Sequence, residues 1–448
     1  MEDQQNSLAA RLELAASALT TRPAAIDAVT ADTGLLRYLG YDDGNASQAE
    51  GRARLLRAAA RLRRLFLLPV PDAPGLTFFG GEADPATFGM PYQGLPIGNL
   101  AGSGLTPQRA FEACVGEGIE YLSQFIRPDN SVELGSTAVC GNAPDEHARR
   151  FINEMLAACS IDTDRPMSWV TASRLTDGAK VRFPLDLCYR RRASEQDFVP
   201  PLKLSSGCAA GATLEAATLR ALLELIERDA AALWWRGGRR GRSIAPDSKA
   251  AAAASDLLTR LRQGRTDRKT WLLDITTEVR IPSVAALSAG EDGFGFAFGL
   301  GARLTLAEAA QAAVFELCQV ELGQHVVDAK RKESGDAALS ENDRRQLRRG
   351  TLFDSRDCKL LQPEPAGIPA EGYDAPLSGL QEALERLGAL GIAVYAVDLT
   401  RPELGIPVIR TFAPGLQLEP CQIVGPRLSR MMNETGGGAV HHGGMPLL

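Results

Sequence analysis

The stretch from Leu219 to Trp235, LRALLELIERDAAALWW, constrains this chain more than any other. It holds no proline or glycine, and Leu222, Leu223, Leu225, Ile226, Leu233, Trp234 and Trp235 clothe nearly every side of a helix in apolar groups. Such a helix is stable only inside a large core. With 448 residues and 45% hydrophobic content, the chain can supply one, as one big domain or two smaller ones. Yet Glu224 and Glu227 stand three apart on one face of that helix, followed by Arg228 and Asp229. Any fold for this chain must give those acids a partner.

Several classes of protein are excluded early. The net charge of −6 argues against a nucleic-acid binder, which usually carries a basic domain. No apolar run approaches the roughly 18 residues of a membrane span. The opening MEDQQNSLAARLELAAS is acidic and polar, unlike a secretory signal. The 8 cysteines are scattered, with no Cys-x-x-Cys pair, and the 4 histidines complete no zinc spacing. They read as reduced, mostly buried thiols of a cytoplasmic protein. His441 and His442 read as part of a solvated tail.

Residues 8–70 read as helical. Gln48 to Pro69 is rich in Ala, Leu and Arg, and Arg52, Arg54, Arg57, Arg61, Arg63 and Arg64 make it basic. That is the solvated face of an amphipathic helix, or a docking face for an acidic peptide or partner. Residues 71–100 read as loop with short strands. Then one plan occurs three times: a small-residue turn, a threonine, and a long helix. The first instance is AGSGLTPQ before Arg109–Phe125, with Thr106 as cap and Pro107 at the first helical position. The second is SSGCAAGAT before the Leu219–Trp235 helix. The third is GFGFAFGLGARLT, where a strand and a glycine turn precede a helix from about Leu306. Between them, residues 126–200 are mixed, with WVTASRL, DGAKVRFPLDLCY and DFVPPLKLS reading as strands joined by turns; TWLLDIT and IPSVAALSA also read as strands. Residues 331–376 read as a charged surface excursion. A helix, a glycine turn and two strands follow, and the tail is Gly-rich.

Each of the three helices carries a polar pair at three-residue spacing: Glu117 and Glu120, Glu224 and Glu227, Glu316 and Gln319. Cys114, Val115, Ile119 and Tyr121 flank the first pair. A buried carboxylate without a partner costs several kcal/mol. Arginines can neutralise these acids in a structural ion-pair cluster. Divalent cations can do so instead, because Mg2+ prefers carboxylate and phosphate oxygens. Four acids from two helices suit a multi-metal nucleotide site, and free N–H groups at helix starts favour phosphate. Residue chemistry alone leaves both readings open.

The blocks resemble a known family. SSGCAAGATLEAATLRALLELIERDA, Ser205 to Ala230, resembles the signature of the YcaO family. GSGLTPQRAFEACVGEGIEY, Gly102 to Tyr121, resembles its first helix, and GLGARLTLAEAAQAAVFELCQ, Gly299 to Gln319, its third. VYAVDLTRPELGIPVIRTFAPGL, Val394 to Leu416, resembles its C-terminal strands. The resemblance implies an α+β fold that binds ATP and Mg2+ without a Walker-type loop. It implies an N-terminal helical segment over 1–70, a YcaO-like catalytic domain over 71–430 and a flexible tail over 431–448. Glu117, Glu120, Glu224 and Glu227 would be catalytic and hold the metals. Arg228 would join them at the phosphates, with Glu316, Gln319, Ser103, Ser205 and Ser206 also binding cofactor.

The activity implied is ATP-dependent activation of a backbone amide in a ribosomally made precursor peptide. In a cyclodehydratase, a Cys, Ser or Thr side chain attacks the preceding carbonyl, the oxyanion is phosphorylated, and loss of phosphate leaves an azoline. Thioamide-forming relatives, acting with a TfuA-like partner, use sulfide instead. A catalytically weak scaffold is a third reading. Three departures from the family pattern bear on it: Ser103 where a lysine is frequent, Ser206 where an asparagine is usual, and Ala113 where a serine is usual. The chain also ends HHGGMPLL, without the Pro-x-Pro-x-Pro tail frequent among cyclodehydratases. A member of this kind implies a separate E1-like, leader-binding partner protein, a dehydrogenase in the same complex, and a homodimer as a compatible state.

Overall fold

Three hydroxyls start the three central helices. Thr106, Thr213 and Thr305 accept the backbone N–H of Arg109, Ala216 and Glu308 at 3.3, 3.1 and 3.1 Å. Each cap satisfies a donor that the first helical turn leaves without a partner, worth about 1 kcal/mol. The computed structural model describes residues 2–20, 31–88, 95–136, 145–162, 165–364 and 377–438.

Helices α1 (Glu2–Thr20), α2 (Ala31–Tyr38) and α3 (Ala46–Ala60) lead into strands β1 (Arg64–Leu68), β2 (Thr77–Ala83) and β3 (Gly98–Gly104). Helix α4 (Pro107–Ser123), strand β4 (Glu133–Gly135) and helix α5 (Glu146–Ala158) follow. Strands β5 (Met167–Arg174), β6 (Lys180–Pro184) and β7 (Cys208–Ala210) precede the long helix α6 (Leu214–Trp235). Next come β8 (Arg242–Ser243), α7 (Lys249–Arg262), β9 (Lys269–Asp274), β10 (Ser283–Ala289) and β11 (Ala297–Ala302). Helices α8 (Leu306–Ser334), α9 (Glu341–Leu352) and α10 (Leu380–Ala389), strands β12 (Tyr395–Asp398) and β13 (Val408–Phe412), and helix α11 (Pro426–Thr435) complete the chain. The architecture is α+β.

The chain forms two compact units. The first takes Met1–Pro69, Leu76–Ala221 and Val394–Phe412; the second takes Val70–Gly75, Leu222–Ala393 and Ala413–Leu448. The first holds two sheets, one ordered β1-β2-β3 and one ordered β4-β5-β12-β13-β7 with β6 paired to β5. Its larger core stacks Phe183 on Phe412, ring centroids 4.8 Å apart, with Phe151 and Tyr395 against them. The second holds one sheet ordered β11-β10-β9-β8. Trp234 and Trp235 of α6 pack there with Leu273, Leu287, Phe296 and Phe298. The indole N–H groups of Trp234 and Trp271 donate to the carbonyls of Leu360 and Leu361 at 2.8 and 2.7 Å, so neither buries an unmet donor.

Glycine allows strand and helix to meet backbone to backbone. A Cβ on Gly102 of β3 would lie 2.2 Å from the Ala110 carbonyl oxygen, and one on Gly301 of β11 would lie 2.4 Å from that of Ala309. The small-residue segments expected to be turns before the first two helices are therefore largely strands, β3 and β7, and the strand expected before the third is β11. Their glycines serve close packing on the following helix.

Other expectations are corrected. The helical reading of 8–70 fails at Arg64–Leu68, where apolar residues pair with β2 in register from Arg64↔Glu82 to Leu68↔Phe78. DFVPPLKLS forms no strand, and within the mixed stretch residues 146–158 form a helix capped by Asp145. The expected excursion over 331–376 begins inside α8 and includes α9, which the Ser340–Asp343 capping box starts. The tail expected from 431 is helical to Thr435. Cys140, His441 and His442 lie outside the described residues.

Candidate functional site

The acids of the three repeated helices close sheet edges. Strands β3, β7 and β11 each end a sheet. In the first unit, the Ala101 N–H of β3 donates to Glu117 Oε2 at 2.5 Å, and the Ala210 N–H of β7 donates to Glu120 Oε1 at 2.7 Å. In the second, the Leu300 and Ala302 N–H groups of β11 donate to Glu316 Oε2 at 2.7 Å and Glu227 Oε2 at 3.2 Å. Residues two apart in a strand face the same edge, so one edge of β11 receives both carboxylates. Hydrogen bonds to charged acceptors contribute about 1.5–3 kcal/mol each. The same interval separates Thr106 from Glu117, Thr213 from Glu224 and Thr305 from Glu316. In the first and third instances that acid accepts from the strand before its own helix; in the second, β7 is met by Glu120 of α4 instead.

Burial differs from the apolar neighbourhood that the flanking residues suggested. Glu117 is exposed, Glu120 and Glu224 are half-buried, and Glu227 is buried. The acids face the strand edge, while the flanking leucines and isoleucines take the core side. Asp229 is the deeply buried carboxylate of α6, at 0% exposure. It accepts from Arg427 Nε at 3.1 Å, Arg427 Nη2 at 2.7 Å and the Gln417 N–H at 2.8 Å. Asp229 thus anchors α11 within the second unit.

In the second unit the structure gathers Glu224, Glu227, Arg228 and Glu316. Arg228 Nη2 lies 3.7 Å from Glu224 Oε1 and 3.9 Å from Glu227 Oε1. Burial works against the Arg228 charge, but Glu227, Glu224 and Glu316 outweigh it and raise its pKa. Burial, reinforced by Glu227, pushes the Glu316 carboxyl up to about 7. Three carboxylates around one guanidinium leave an excess of negative charge. Gln319 is half-buried on α8, one turn beyond Glu316. In the first unit, Ser103 is half-buried in β3, and Ser205 and Ser206 form the turn before β7, with the Cys208 N–H donating to the Ser205 carbonyl at 3.2 Å. Among the described residues, no group of three or more His, Cys, Asp or Glu converges as a preformed metal cage.

One buried network was not anticipated. Glu321, at 0% exposure, accepts from Arg262 at 2.6 and 2.8 Å, from Arg268 at 3.0 Å and from Ser288 at 2.5 Å. It ties α8, which carries Glu316, to α7 and β10. The visible signal was Glu321 in the apolar run Val314–Leu322; its arginines are too far away in sequence to suggest the pairing.

The family model described as YcaO cyclodehydratase, ATP- and Mg2+-binding, matches residues 101–417. An uncharacterised protein of the tfuA 3′ region of Rhizobium leguminosarum bv. trifolii is 26% identical over 337 residues, covering 71% of this chain and 76% of its own. A heterocyclase solved in complex with substrate and cofactor superposes with a TM-score of 0.65 at 21% identity, over 84% of this chain and 52% of its own. This chain therefore spans about half the length of that heterocyclase. YcaO from Methanopyrus kandleri, bound with AMPPCP and Mg2+, superposes with a TM-score of 0.56 at 19% identity, over 86% of this chain and 91% of its own. Fold and matched residues together define an ATP- and Mg2+-binding protein of α+β architecture. The chain belongs to the YcaO cyclodehydratase family. No helix among the described residues is long and apolar enough to cross a membrane.

Proposed function

We propose that this chain is an ATP- and Mg2+-dependent cyclodehydratase that forms azolines from Cys, Ser or Thr in a ribosomally made precursor peptide. The observation that carries the reading is the excess of carboxylate over guanidinium at Glu224, Glu227, Glu316 and Arg228. A divalent cation relieves that excess. Mg2+ usually takes one or two carboxylates and completes its shell with water and phosphate oxygens, so no preformed cage is required. Glu117 and Glu120 in the first unit, and Glu224 and Glu227 in the second, are the proposed Mg2+ ligands. Arg228, Gln319, Glu316, Ser103, Ser205 and Ser206 are the proposed nucleotide contacts. When bound, Mg-ATP supplies a phosphoryl group that makes the amide oxygen a good leaving group. The edge N–H groups hold Glu117, Glu120, Glu227 and Glu316 in position before substrate arrives, and Arg228 lies beside Glu224.

Replacing Glu224 or Glu227 with Gln keeps the side-chain shape, and at Glu227 an acceptor for the Ala302 amide, but removes the charge. ATP consumption with precursor peptide should fall at least a hundredfold while the circular dichroism spectrum is unchanged. Full activity in both variants refutes the metal assignment. The product is read by mass: cyclodehydration removes about 18 Da per ring.

The tfuA-region relative supports a second reading, formation of a thioamide with sulfide and a TfuA-like partner. That product gains about 16 Da per site. An unchanged peptide mass with ATP, Mg2+, sulfide and either partner present rejects both readings. For the azoline route, a separate E1-like, leader-binding protein completes the system.

A further inference from the structure

The three-stranded sheet of the first unit is closed at one end and open at the other. Its β3 edge is met by α4 and by Glu117. Its β1 edge pairs with no other strand among the described residues. Proteins usually guard such an edge with proline, inward-pointing charge or a covering segment. Here β1 reads Arg-Leu-Phe-Leu-Leu: Leu67 is 49% exposed, and Leu65, Phe66 and Leu68 are half-buried. Opposite Phe66 in register is Gly80, over which the Phe66 ring lies.

Charge at this edge has one dominant sign. Arg57, Arg61, Arg63 and Arg64 gather at the end of α3 and the start of β1. The ion-pair contacts of Arg57, Arg63 and Arg64 with acids are loose. Glu82 lies 3.8 Å from Arg63 and 3.9 Å from Arg64, and Glu50 lies 3.8 Å from Arg57. The rest of the basic run is spent elsewhere: Arg52 is buried against Asp43 at 2.6 Å, and Arg54 donates to the Gly405 carbonyl at 3.2 Å. Arg63 and Arg64 keep half or more of their side chains in solvent.

We propose that the open edge of β1 takes an extended, acidic peptide segment as an added strand. Main-chain pairing supplies a register, Leu65 and Leu67 supply apolar contact, and the arginines supply preference for acidic side chains. The added strand lies three strand spacings from β3, about 14 Å from the strand that holds Glu117. A peptide held there has the rest of its length available to a modifying site. Its identity as substrate rests on the proposed peptide-modifying activity; the docking itself does not.

The test uses the full chain without ATP and a fluorescein-labelled peptide of alternating Glu and Val, read by anisotropy. Two control peptides share its length, the Lys/Val counterpart and the Glu/Val peptide N-methylated at alternate residues; the third control is the Arg63→Glu/Arg64→Glu variant of the protein. The Glu/Val peptide should bind, each control should weaken binding at least tenfold, and raising NaCl from about 0.05 to about 0.5 M should weaken it at least fivefold. Equal binding by the N-methylated peptide, no binding by the parent, or indifference to the charge reversal overturns the proposal. So does a dimer that excludes the peptide and dissociates in Leu67→Lys, which assigns the edge to a second copy. Glu227→Gln should bind the peptide as the natural chain does. Peptide binding without ATP use would refute the proposed activity and leave the docking edge standing; ATP use without peptide binding would do the reverse.

Discussion

Arg427 pairs with buried Asp229 and with exposed Glu278, each at 2.7 Å; removing it should cost far more stability than a surface ion pair contributes, and removing the Asp229 charge as well should restore much of the loss. Asp229 is fully buried, and Arg427 supplies two of the three hydrogen bonds that hold it. Arg427→Met keeps an aliphatic stem but strands a carboxylate with only the Gln417 N–H. Breaking one side of a buried pair costs about 3–5 kcal/mol. In Asp229→Asn/Arg427→Met the charge is gone and the amide oxygen still accepts from Gln417, so at least half of the loss should return. The pH dependence has a definite sign. Burial already raises the Asp229 pKa against the pull of Arg427. Without Arg427 it rises further, so the penalty is smallest at low pH, where the acid is protonated in both states, and grows as pH rises through the folded pKa. Urea unfolding at pH 5 and pH 8, followed by tryptophan fluorescence, measures both effects. A loss below about 1 kcal/mol at pH 8, or strictly additive single losses, refutes this account of α11 anchoring.

Glu316→Gln should stabilise the protein in EDTA at pH 8, because its carboxyl titrates near 7 in the fold against 4.5 in the unfolded chain. The gain should grow between pH 4.5 and 7, reach at most about 3 kcal/mol and vanish near pH 4, as urea unfolding would show. Gly301→Ala should destabilise by several kcal/mol, since its Cβ would lie 2.4 Å from the Ala309 carbonyl oxygen; a neutral effect in thermal unfolding would show that β11 can shift freely. Thr305→Ala should cost about 1 kcal/mol and Thr305→Ser less, measured by the same unfolding assay.

Much of this architecture was legible because its signals are local. Thr106 with Pro107, and the run after Thr305, mark helix starts through one or two adjacent residues. The buried strand Ser283–Ala289 and the apolar α6 announce themselves by composition. Leu65–Leu68 was misread because a short apolar run after a helix fits either a longer helix or an edge strand, and only pairing with distant Phe78–Gly81 decides. The glycines before each helix were visible, but the strand-to-helix contact that their lack of a Cβ allows was not. For the acids, the repeated spacing was visible and the partners were not. Ala210 is ninety positions from Glu120, and Ala302 is seventy-five from Glu227. Those distances also hid the Arg262–Glu321–Arg268 cluster.

The carboxylates that end β3, β7 and β11 have a second consequence, for how the protein behaves when altered. An edge strand whose outward amides already hold a charged acceptor is a poor template for a neighbouring chain. Truncating Glu117, Glu120, Glu227 or Glu316 to alanine would uncover those amides as well as remove a charge. Such variants should be sticky as well as inactive, and precipitation on expression would look like a folding defect of the site. The amide-for-acid exchange separates the two roles, since it leaves the edge closed and changes only the charge.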